Sequence, residues 1–375
     1  MEFEKELKVT ETNIPGLLVF DLPVHGDNRG WFKENWQKAK MTALGLPADF
    51  QWPIPLEESE RSEADLHHPM LKDAKPMVLR RTLVTGANGQ LGRAIREYVQ
   101  EHGLEGFEFT DIDEFYFSDP AAYAQIDWSL YGTIINAGAY TAVDKAETPE
   151  GRAAAWKANA QGPALLAKTA TEHNLTLVHI SSDYVFDGVA QVHDEDEAFA
   201  PLGVYGQTKA AGDIAVAMAP KHYILRSSWV IGDGHNFVKT MIALSDRVAN
   251  PDEALEQVTV VDDQIGRLTF TQDMARAIFF LVDHEAPYGT YDLTSSGDSV
   301  SWAAIAREVF AQANGNGQAV KPISTEEYFA NATAPVSPRP AYSTLDLAKI
   351  EETGFEPSDW RDELHAYVAA ARKGE

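Results

Sequence analysis

Residues 81–92 read Arg81-Thr-Leu-Val-Thr-Gly-Ala-Asn-Gly-Gln-Leu-Gly92. The run Thr82-Leu83-Val84 is typical of a buried strand, and a segment with helical periodicity begins at Leu91. Between them lie glycines in G-x-x-G-x-x-G spacing, which differs from the common G-x-G-x-x-G fingerprint. Glycines let the backbone turn sharply and approach a pyrophosphate, whose charge then lies at the amino terminus of the following helix. The stretch therefore predicts a dinucleotide-binding strand–turn–helix unit.

Strands and helices continue to alternate after this unit. Four further strands are predicted at residues 107–109, 133–135, 175–180 and 223–225, with amphipathic helices at 150–172 and 207–219. Repeated βα units need crossover connections, so they indicate a parallel, doubly wound sheet. After about residue 231 the alternation loosens, and the remaining predicted helices span 271–284, 301–312 and 359–373.

We therefore predict an α/β protein with a Rossmann-type doubly wound parallel sheet, a smaller C-terminal α/β substrate lobe and a short irregular or β N-terminal segment. The predicted divisions are residues 1–79 for the N-terminal segment and linker, 80–230 with 257–285 for the dinucleotide-binding domain, and 231–256 with 286–375 for the lobe.

Composition and charge exclude several classes of function. The chain has 31 Lys and Arg residues against 57 Asp and Glu, a net charge of −26, so nucleic acid or an anionic membrane is not expected as a partner. Without cysteine there is no disulfide, thiolate metal site or cysteine nucleophile. The amino terminus lacks a signal sequence, and no apolar run approaches the roughly 18 residues of a membrane span. We expect a cytoplasmic protein with a small-molecule substrate.

A second pattern, Tyr205-Gly-Gln-Thr-Lys209, indicates proton-transfer chemistry. Residues four apart share a helix face, so the ammonium of Lys209 is expected near the phenol of Tyr205, where it would lower the pKa of that phenol. The fourth predicted strand ends at Ser181-Ser182, whose hydroxyls could bind the same carbonyl oxygen. Taken alone, a Tyr-x-x-x-Lys pattern is usually a pair of surface side chains without a function. Serines at a strand end usually cap that end.

Asp111 follows the second predicted strand, 19 residues after Gly92. A carboxylate there can accept hydrogen bonds from ribose hydroxyls and would repel a 2′-phosphate, which favours NAD over NADP. Asp113 competes for this role, and an ordinary strand-end carboxylate is the structural alternative. The acidic run His193–Glu197 is interpreted as a solvated loop rather than a metal cluster.

The order of glycine turn, serine and Tyr/Lys pair resembles the extended short-chain dehydrogenase/reductase family. Longer motifs resemble the dTDP-4-dehydrorhamnose reductases within it, over roughly residues 81–372. These motifs are Asn136–Glu147, Ile180–Gly188, Leu225–Val230, Asp263–Gly266 and Arg339–Ser343.

This resemblance implies a role for each matching residue. Tyr205 would donate the proton, Lys209 would lower its pKa and hold the nicotinamide ribose, and Ser182 would polarise the keto oxygen. The remaining cofactor contacts would come from Gly86, Gly89, Gln90, Leu91, Gly92, Asp111, Tyr116, Phe117, Gly138, Ala139 and Tyr140. Substrate contacts would come from Ser182, Asp183, Trp229 and Arg339.

Two departures from the family pattern matter. Tyr116 and Phe117 stand beside the expected adenine site, where the family often has Asp and an apolar residue, so stacking is expected there. Ala94 stands where some members have a Glu that binds Mg²⁺ at a dimer interface. We therefore predict no metal site and a monomer or weak homodimer.

The N-terminal segment resembles a different family, the dTDP-4-dehydrorhamnose 3,5-epimerases. Residues 14–21 and 27–34 match the opening of that cupin barrel, and residues 52–57 and 62–69 match its closing part. The middle, with the catalytic His of that family, is absent. The resemblance thus implies a truncated remnant without epimerase activity.

The resemblances together imply that the chain reduces the C4 keto group of dTDP-4-dehydro-β-L-rhamnose with NADPH or NADH. Two alternatives remain: another extended short-chain sugar-nucleotide epimerase or dehydratase, and a non-catalytic regulatory subunit.

Overall fold

The computed structural model describes residues 8–11, 18–21, 24–27, 30–33 and 80–373 of the 375-residue chain. The chain divides into two compact units, Met1–Pro76 and Met77–Glu375. The described strands of the first unit form two antiparallel pairs, β1 (Lys8–Glu11) with β2 (Leu18–Asp21) and β3 (Val24–Asp27) with β4 (Gly30–Lys33). The residues 52–57 and 62–69 of the epimerase resemblance lie outside the described residues.

A six-stranded parallel sheet forms the centre of the second unit, in the order β14-β9-β8-β7-β5-β6. Its strands are β5 (Arg81–Thr85), β6 (Phe107–Thr110), β7 (Tyr131–Asn136), β8 (Thr176–Ser182), β9 (His222–Ser227) and β14 (Gly289–Asp292). The chain winds outward in opposite directions from β5, to β6 on one side and to β7 on the other. This switch point is where parallel α/β sheets bind ligands.

The helices cover both faces of this sheet and build the rest of the unit. They are α1 (Gln90–Glu101), α2 (Pro149–Trp156), α3 (Gly162–His173), α4 (Val204–Val216), α5 (Phe237–Ala249), α6 (Thr271–Asp283), α7 (Trp302–Asn314), α8 (Thr325–Phe329), α9 (Ala348–Glu352) and α10 (Trp360–Lys373). A π-helical turn, Lys157–Gln161, joins α2 to α3. None of the helices described is long and apolar enough to cross a bilayer.

Alternation along the strands divides the core between the two faces of the sheet. Val84 and Ile135 belong to the cluster under α1 and α6, whereas their neighbours Leu83 and Ile134 belong to the cluster under α3 and α4. All four side chains are at most 2% exposed. Successive strand residues point to opposite faces, so these apolar runs fit a sheet that is buried on both sides. The predicted fold class is confirmed.

A third apolar cluster lies where α5, α7 and α10 pack together, around Met241, Val309, Phe310 and Trp360. Short ladders border it: β10 (Val230–Ile231) with β13 (Thr269–Phe270), β11 (Val258–Val261) with β16 (Val320–Ile323), and β12 (Ile265–Gly266) with β15 (Val300–Ser301). This cluster falls mainly within the ranges predicted for the substrate lobe.

Two features differ from the sequence predictions. Strand β14 lies within the range 286–375 assigned to the lobe, yet it pairs with β9 as the edge strand of the central sheet. His193 was expected in a solvated loop but is fully buried, because its ring stacks on Phe186 and its Nδ1 lies 2.7 Å from a carboxylate oxygen of Glu197.

Candidate active site

A cavity of about 950 Å³ opens where β5, β7, β8 and β9 end. Its walls come from the loops that follow these strands, at the switch point of the sheet. Most of the predicted site residues line it: Gly86, Gly89, Gln90, Leu91, Asp111, Tyr116, Phe117, Gly138, Ala139, Tyr140, Ser182, Asp183, Tyr205, Lys209 and Trp229. Gly92 and Arg339 do not.

The glycine turn forms the cavity wall after β5. Gly86 has φ +68°, and a Cβ there would lie 2.5 Å from the Cα of Gly138. The amide of Gly89 donates to the Gly86 carbonyl over 3.0 Å, and none of the described side chains caps the start of α1. The residues of this uncapped helix terminus line the cavity, and such a terminus is suited to cradle a pyrophosphate.

Gly92 has a packing role. A Cβ at Gly92 would lie 2.3 Å from the Gly86 carbonyl oxygen and 2.6 Å from the Ala87 Cα. The missing side chain thus lets α1 lie directly against the turn, and Gly92 supports the cradle without lining it.

The wall after β6 carries Asp111. One carboxylate oxygen of Asp111 accepts from the Asn88 amide and the other from the Ile112 amide, each over 2.8 Å. The carboxylate is thus fixed beside the glycine turn. Further along this wall, Lys157 lies 4.6 Å from the Tyr116 ring centre.

The loop after β7 is held by two asparagines. Oδ1 of Asn136 accepts from the Gly138 amide over 3.2 Å. Asn159, in the π-helical turn, accepts from the Tyr140 amide over 2.8 Å and donates to the Tyr140 carbonyl over 2.9 Å. Asn159 therefore braces the backbone of Tyr140.

Phe117 fills the space between the β7 loop and the start of α3. A Cβ at Gly138 would lie 2.7 Å from its Cε1, and a Cβ at Gly162 would lie 2.5 Å from its Cε2. The ring therefore packs directly onto two glycine backbones.

Ser182 and the Tyr/Lys pair stand on the opposite wall, at the end of β8 and on the first turns of α4. Tyr205 and Ser182 line this wall together. Ser182 also donates to a carboxylate oxygen of Asp183 over 2.9 Å and accepts from the Tyr184 amide. Lys209 is 2% exposed, and its ammonium donates to the Ile180 carbonyl over 2.5 Å. The cavity therefore brings a phenol, a hydroxyl and an ammonium to one wall.

The electrostatics of this wall differ from the prediction. Burial, and then the carboxylate of Asp183, raise the pKa of Tyr205 above its usual value of 10.0, although the nearby Ser182 hydroxyl lowers it. The overall shift of the Tyr205 pKa is therefore upward, and the lowering expected from Lys209 stays a prediction. Burial lowers the pKa of Lys209 itself to about 8, opposed by the charge of Asp213. Burial also raises the pKa of Asp183 to about 6.

Arg339 is engaged outside the cavity. Its guanidinium donates to both carboxylate oxygens of Asp144 over 2.8 Å, and to the Ser337 carbonyl over 3.1 Å. Because Asp144 belongs to the segment after β7, Arg339 ties the C-terminal region to that segment.

Sequence reasoning missed several lining residues, including Arg93, Tyr184, His235 and Trp302. Trp302 belongs to a helix that was predicted, but helical periodicity could not show that this helix starts at the cavity.

Among the residues described, no three His, Asp or Glu side chains lie close enough to hold a metal ion. The absence of a metal requirement stays a prediction.

A glycine cradle at the switch point, facing a tyrosine–lysine–serine wall across one cavity, defines the class of dinucleotide-dependent short-chain dehydrogenases/reductases. Within that class the chain belongs to the family described as RmlD substrate binding domain, whose family model matches residues 80–373.

Curated relatives agree with this assignment. The dTDP-4-dehydrorhamnose reductase of Aggregatibacter actinomycetemcomitans is 36% identical over 301 residues, covering 76% of this chain and 97% of the relative. The spore coat polysaccharide biosynthesis protein SpsK of Bacillus subtilis is 35% identical over 296 residues, covering 77% of this chain and 96% of the relative.

Solved structures agree as well. A dTDP-4-dehydrorhamnose reductase from Clostridium acetobutylicum superposes with a TM-score of 0.70 at 36% identity, covering 78% of this chain and 99% of that one. The dTDP-4-dehydrorhamnose reductase of Bacillus anthracis in complex with NADP has a TM-score of 0.68 at 33% identity. The match covers 77% of this chain and 99% of that one.

Proposed function

We propose that this protein is an NAD(P)H-dependent reductase that converts the C4 keto group of dTDP-4-dehydro-β-L-rhamnose to the alcohol of dTDP-β-L-rhamnose. One observation carries the proposal: Ser182, Tyr205 and Lys209 line the same cavity as the glycine turn. The names of the relatives, at about one-third identity over nearly their whole length, support this substrate.

The cofactor half of the cavity is formed by the glycine turn, Asp111, the Tyr116–Phe117 pair and the β7 loop. The amides at the start of α1 would hold the pyrophosphate, and the ring of Tyr116 would lie beside the adenine. When bound, the reduced nicotinamide supplies a hydride to C4 of the sugar. The NADP complex of the Bacillus anthracis relative supports a nicotinamide cofactor, and we propose that NADH or NADPH serves.

The residues of the other half of the cavity would bind and protonate the keto oxygen. Tyr205 and Ser182 present two hydroxyl groups to this oxygen, and Tyr205 gives up its proton as charge develops there. The ammonium of Lys209 stabilises the phenolate that remains, before solvent restores the proton. Asp183 and Trp229 would hold the sugar nucleotide. Arg339, paired with Asp144, would act only by positioning the Asp144 segment.

The test is an assay of the purified chain with separately epimerised dTDP-4-dehydrorhamnose and NADH or NADPH. We expect one equivalent of reduced cofactor to be consumed for each dTDP-rhamnose formed. Tyr205→Phe should lower kcat by about 100-fold or more, because it removes the hydroxyl that donates the proton and keeps the ring. The matched control is Tyr288→Phe, at a half-exposed tyrosine (47% exposed) that does not line the cavity, which should retain wild-type activity.

Two results would contradict the proposal. A retained cofactor with an epimerised or dehydrated sugar would assign the chain to another reaction class. Full activity of Tyr205→Phe would remove the phenol from the mechanism. We also propose that the chain acts as a monomer or weak homodimer without nucleic-acid or membrane partners.

A further inference from the structure

Trp229 has an unusual backbone. It follows β9 and adopts φ +49°, in the left-handed region that bulky side chains rarely occupy. Neighbouring hydrogen bonds enforce this conformation: the Thr269 amide donates to the Trp229 carbonyl over 3.2 Å, and the Thr269 hydroxyl donates to the Ser228 carbonyl over 2.5 Å. Strained residues of this kind cluster at ligand sites, where the surrounding structure holds them.

The indole of Trp229 is held as firmly as its backbone. It stacks on the indole of Trp302, with ring centres 3.8 Å apart and planes 22° apart. Its benzene edge lies against Gly266, where a Cβ would be 2.9 Å from Cζ2. The Trp302 ring in turn contacts Phe237, 4.5 Å away between centres. Neither indole is free to choose another rotamer without displacing these neighbours.

Trp302 is itself anchored at its backbone. It is the first residue of α7, and the hydroxyl of the preceding residue, Ser301, caps that helix by accepting from the Ala304 amide over 3.1 Å. Both tryptophans line the cavity and are only partly buried. Trp302 therefore covers one face of the Trp229 indole, and a ligand in the cavity meets the remaining surface.

We propose that Trp302 is a positioning residue for the sugar: it fixes the Trp229 indole as a flat apolar surface for the C–H face of a deoxypyranose. This inference rests on the proposed function and adds a specificity element to it. A rigid aromatic surface recognises the ring and methyl group of a 6-deoxysugar without contacting the nucleotide or the nicotinamide. The effect of Trp302 should therefore be confined to the sugar.

The experiment compares Trp302→Leu, Trp229→Leu and the double variant in the full chain. Each single variant should raise KM for dTDP-4-dehydrorhamnose by about tenfold, a loss of the size expected for one buried apolar contact. The kcat value and the dissociation constants of dTDP and NADH should stay within about twofold of wild type. The double variant should be no worse than Trp229→Leu, because Trp302 acts through Trp229.

Two further variants control for damage to the fold. Trp156→Leu replaces a tryptophan that is 44% exposed and does not line the cavity, and it should leave KM unchanged. Trp302→Phe keeps a smaller ring on Trp229 and should raise KM by less than the leucine variant. If Trp302→Leu does not fold, the KM of Trp302→Phe tests the inference in its place.

The inference is overturned if the wild type turns over but the Trp302 variants leave KM unchanged. It is equally overturned if they weaken dTDP or NADH binding as much as sugar binding, or if the two leucine effects simply add. A wild-type chain that binds neither dTDP nor the sugar nucleotide would instead overturn the proposed function, together with everything that rests on it.

Discussion

The phenol of Tyr205 is a weaker acid in this cavity than in water, and that suits a proton donor. Because burial and Asp183 raise its pKa, Tyr205 keeps its proton at pH 7. The alkoxide formed from a ketone is a much stronger base than a phenolate, so the phenol can still protonate it. Lys209, with a pKa of about 8, remains mostly charged at pH 7 and can stabilise the phenolate.

Asp183 should make the stability of the protein depend on pH. Its pKa is about 6 in the folded protein against 3.8 ordinarily, so the folded state binds the proton more tightly. Stability from this group is therefore greatest below pH 4 and falls as the pH rises to 6. In Asp183→Asn, the free energy of unfolding relative to wild type should increase by about 2 kcal/mol between pH 4 and pH 7. Urea unfolding at several pH values measures it.

The control for this prediction is Asp252→Asn, which removes one charge from an exposed loop. Other buried carboxyls titrate in both wild type and variant, so they cancel in the comparison. A difference between Asp183→Asn and wild type that did not change with pH would show that burial does not disfavour the charged form of Asp183.

At the scale of elements, the cavity depends on helices and loops that approach closely because side chains are missing. Helix α1 rests on the turn through Gly92, and the β7 loop rests on the same turn through the contact between Gly86 and Gly138. Close-packed interiors do not absorb even one added methyl group without a shift. The placement of the backbone amides at the start of α1 is thus coupled to the packing of the elements behind them.

Gly92→Ala should test this coupling. The added Cβ, 2.3 Å from the Gly86 carbonyl oxygen, must push α1 away from the turn. We expect the free energy of unfolding to fall by about 1–3 kcal/mol, the usual range for overpacking. NADH affinity should fall too, although Gly92 does not line the cavity. Urea unfolding and a direct binding titration measure the two effects.

Gly132→Ala is the matched control, since its Cβ would approach only the flexible side chain of Arg80. It should keep both stability and NADH affinity. If Gly92→Ala behaved the same way, the close approach of α1 to the turn would not matter for the cradle.

At the scale of the whole molecule, the relatives cover about three quarters of this chain. The matches to the two solved reductases include 99% of each reductase chain but only 77–78% of this chain. The family match, residues 80–373, lies wholly within the unit Met77–Glu375. A unit with its own sheet and its own apolar clusters is expected to fold alone.

A chain shortened to residues 77–375 should therefore keep reductase activity. We expect kcat/KM within about twofold of the full chain, because the unit carries its own core and its own site. Steady-state kinetics and circular dichroism on both chains provide the comparison. A shortened chain that folds but loses most of its activity would assign the first unit a part in catalysis.

The sequence was sufficient to predict the elements whose signals are local. Leu83 and Val84 lie in a buried strand where the apolar run predicted one, and Gly86 and Gly89 form the turn that their spacing indicates. Helix α4 begins at Val204, so Tyr205 and Lys209 share a face as their four-residue spacing requires.

Features that depend on distant contacts could not be predicted. The burial of His193 depends on Phe186 and Glu197, and Arg339 is removed from the cavity by Asp144, almost 200 positions away. The direction of the Tyr205 pKa shift depends on burial, which no residue spacing reports. The left-handed Trp229 follows from hydrogen bonds made by Thr269.

The row formed by Gly86, Gly138, Phe117 and Gly162 has a consequence for engineering. None of these three glycines has room for a side chain. A Cβ on any of them would lie within 2.7 Å of the next member of the row. Laboratory evolution of the preference between NADH and NADPH would therefore be blocked along this row. Accepted changes should accumulate instead at Asp111 and at Ile112, whose side chain is 61% exposed and has room to vary.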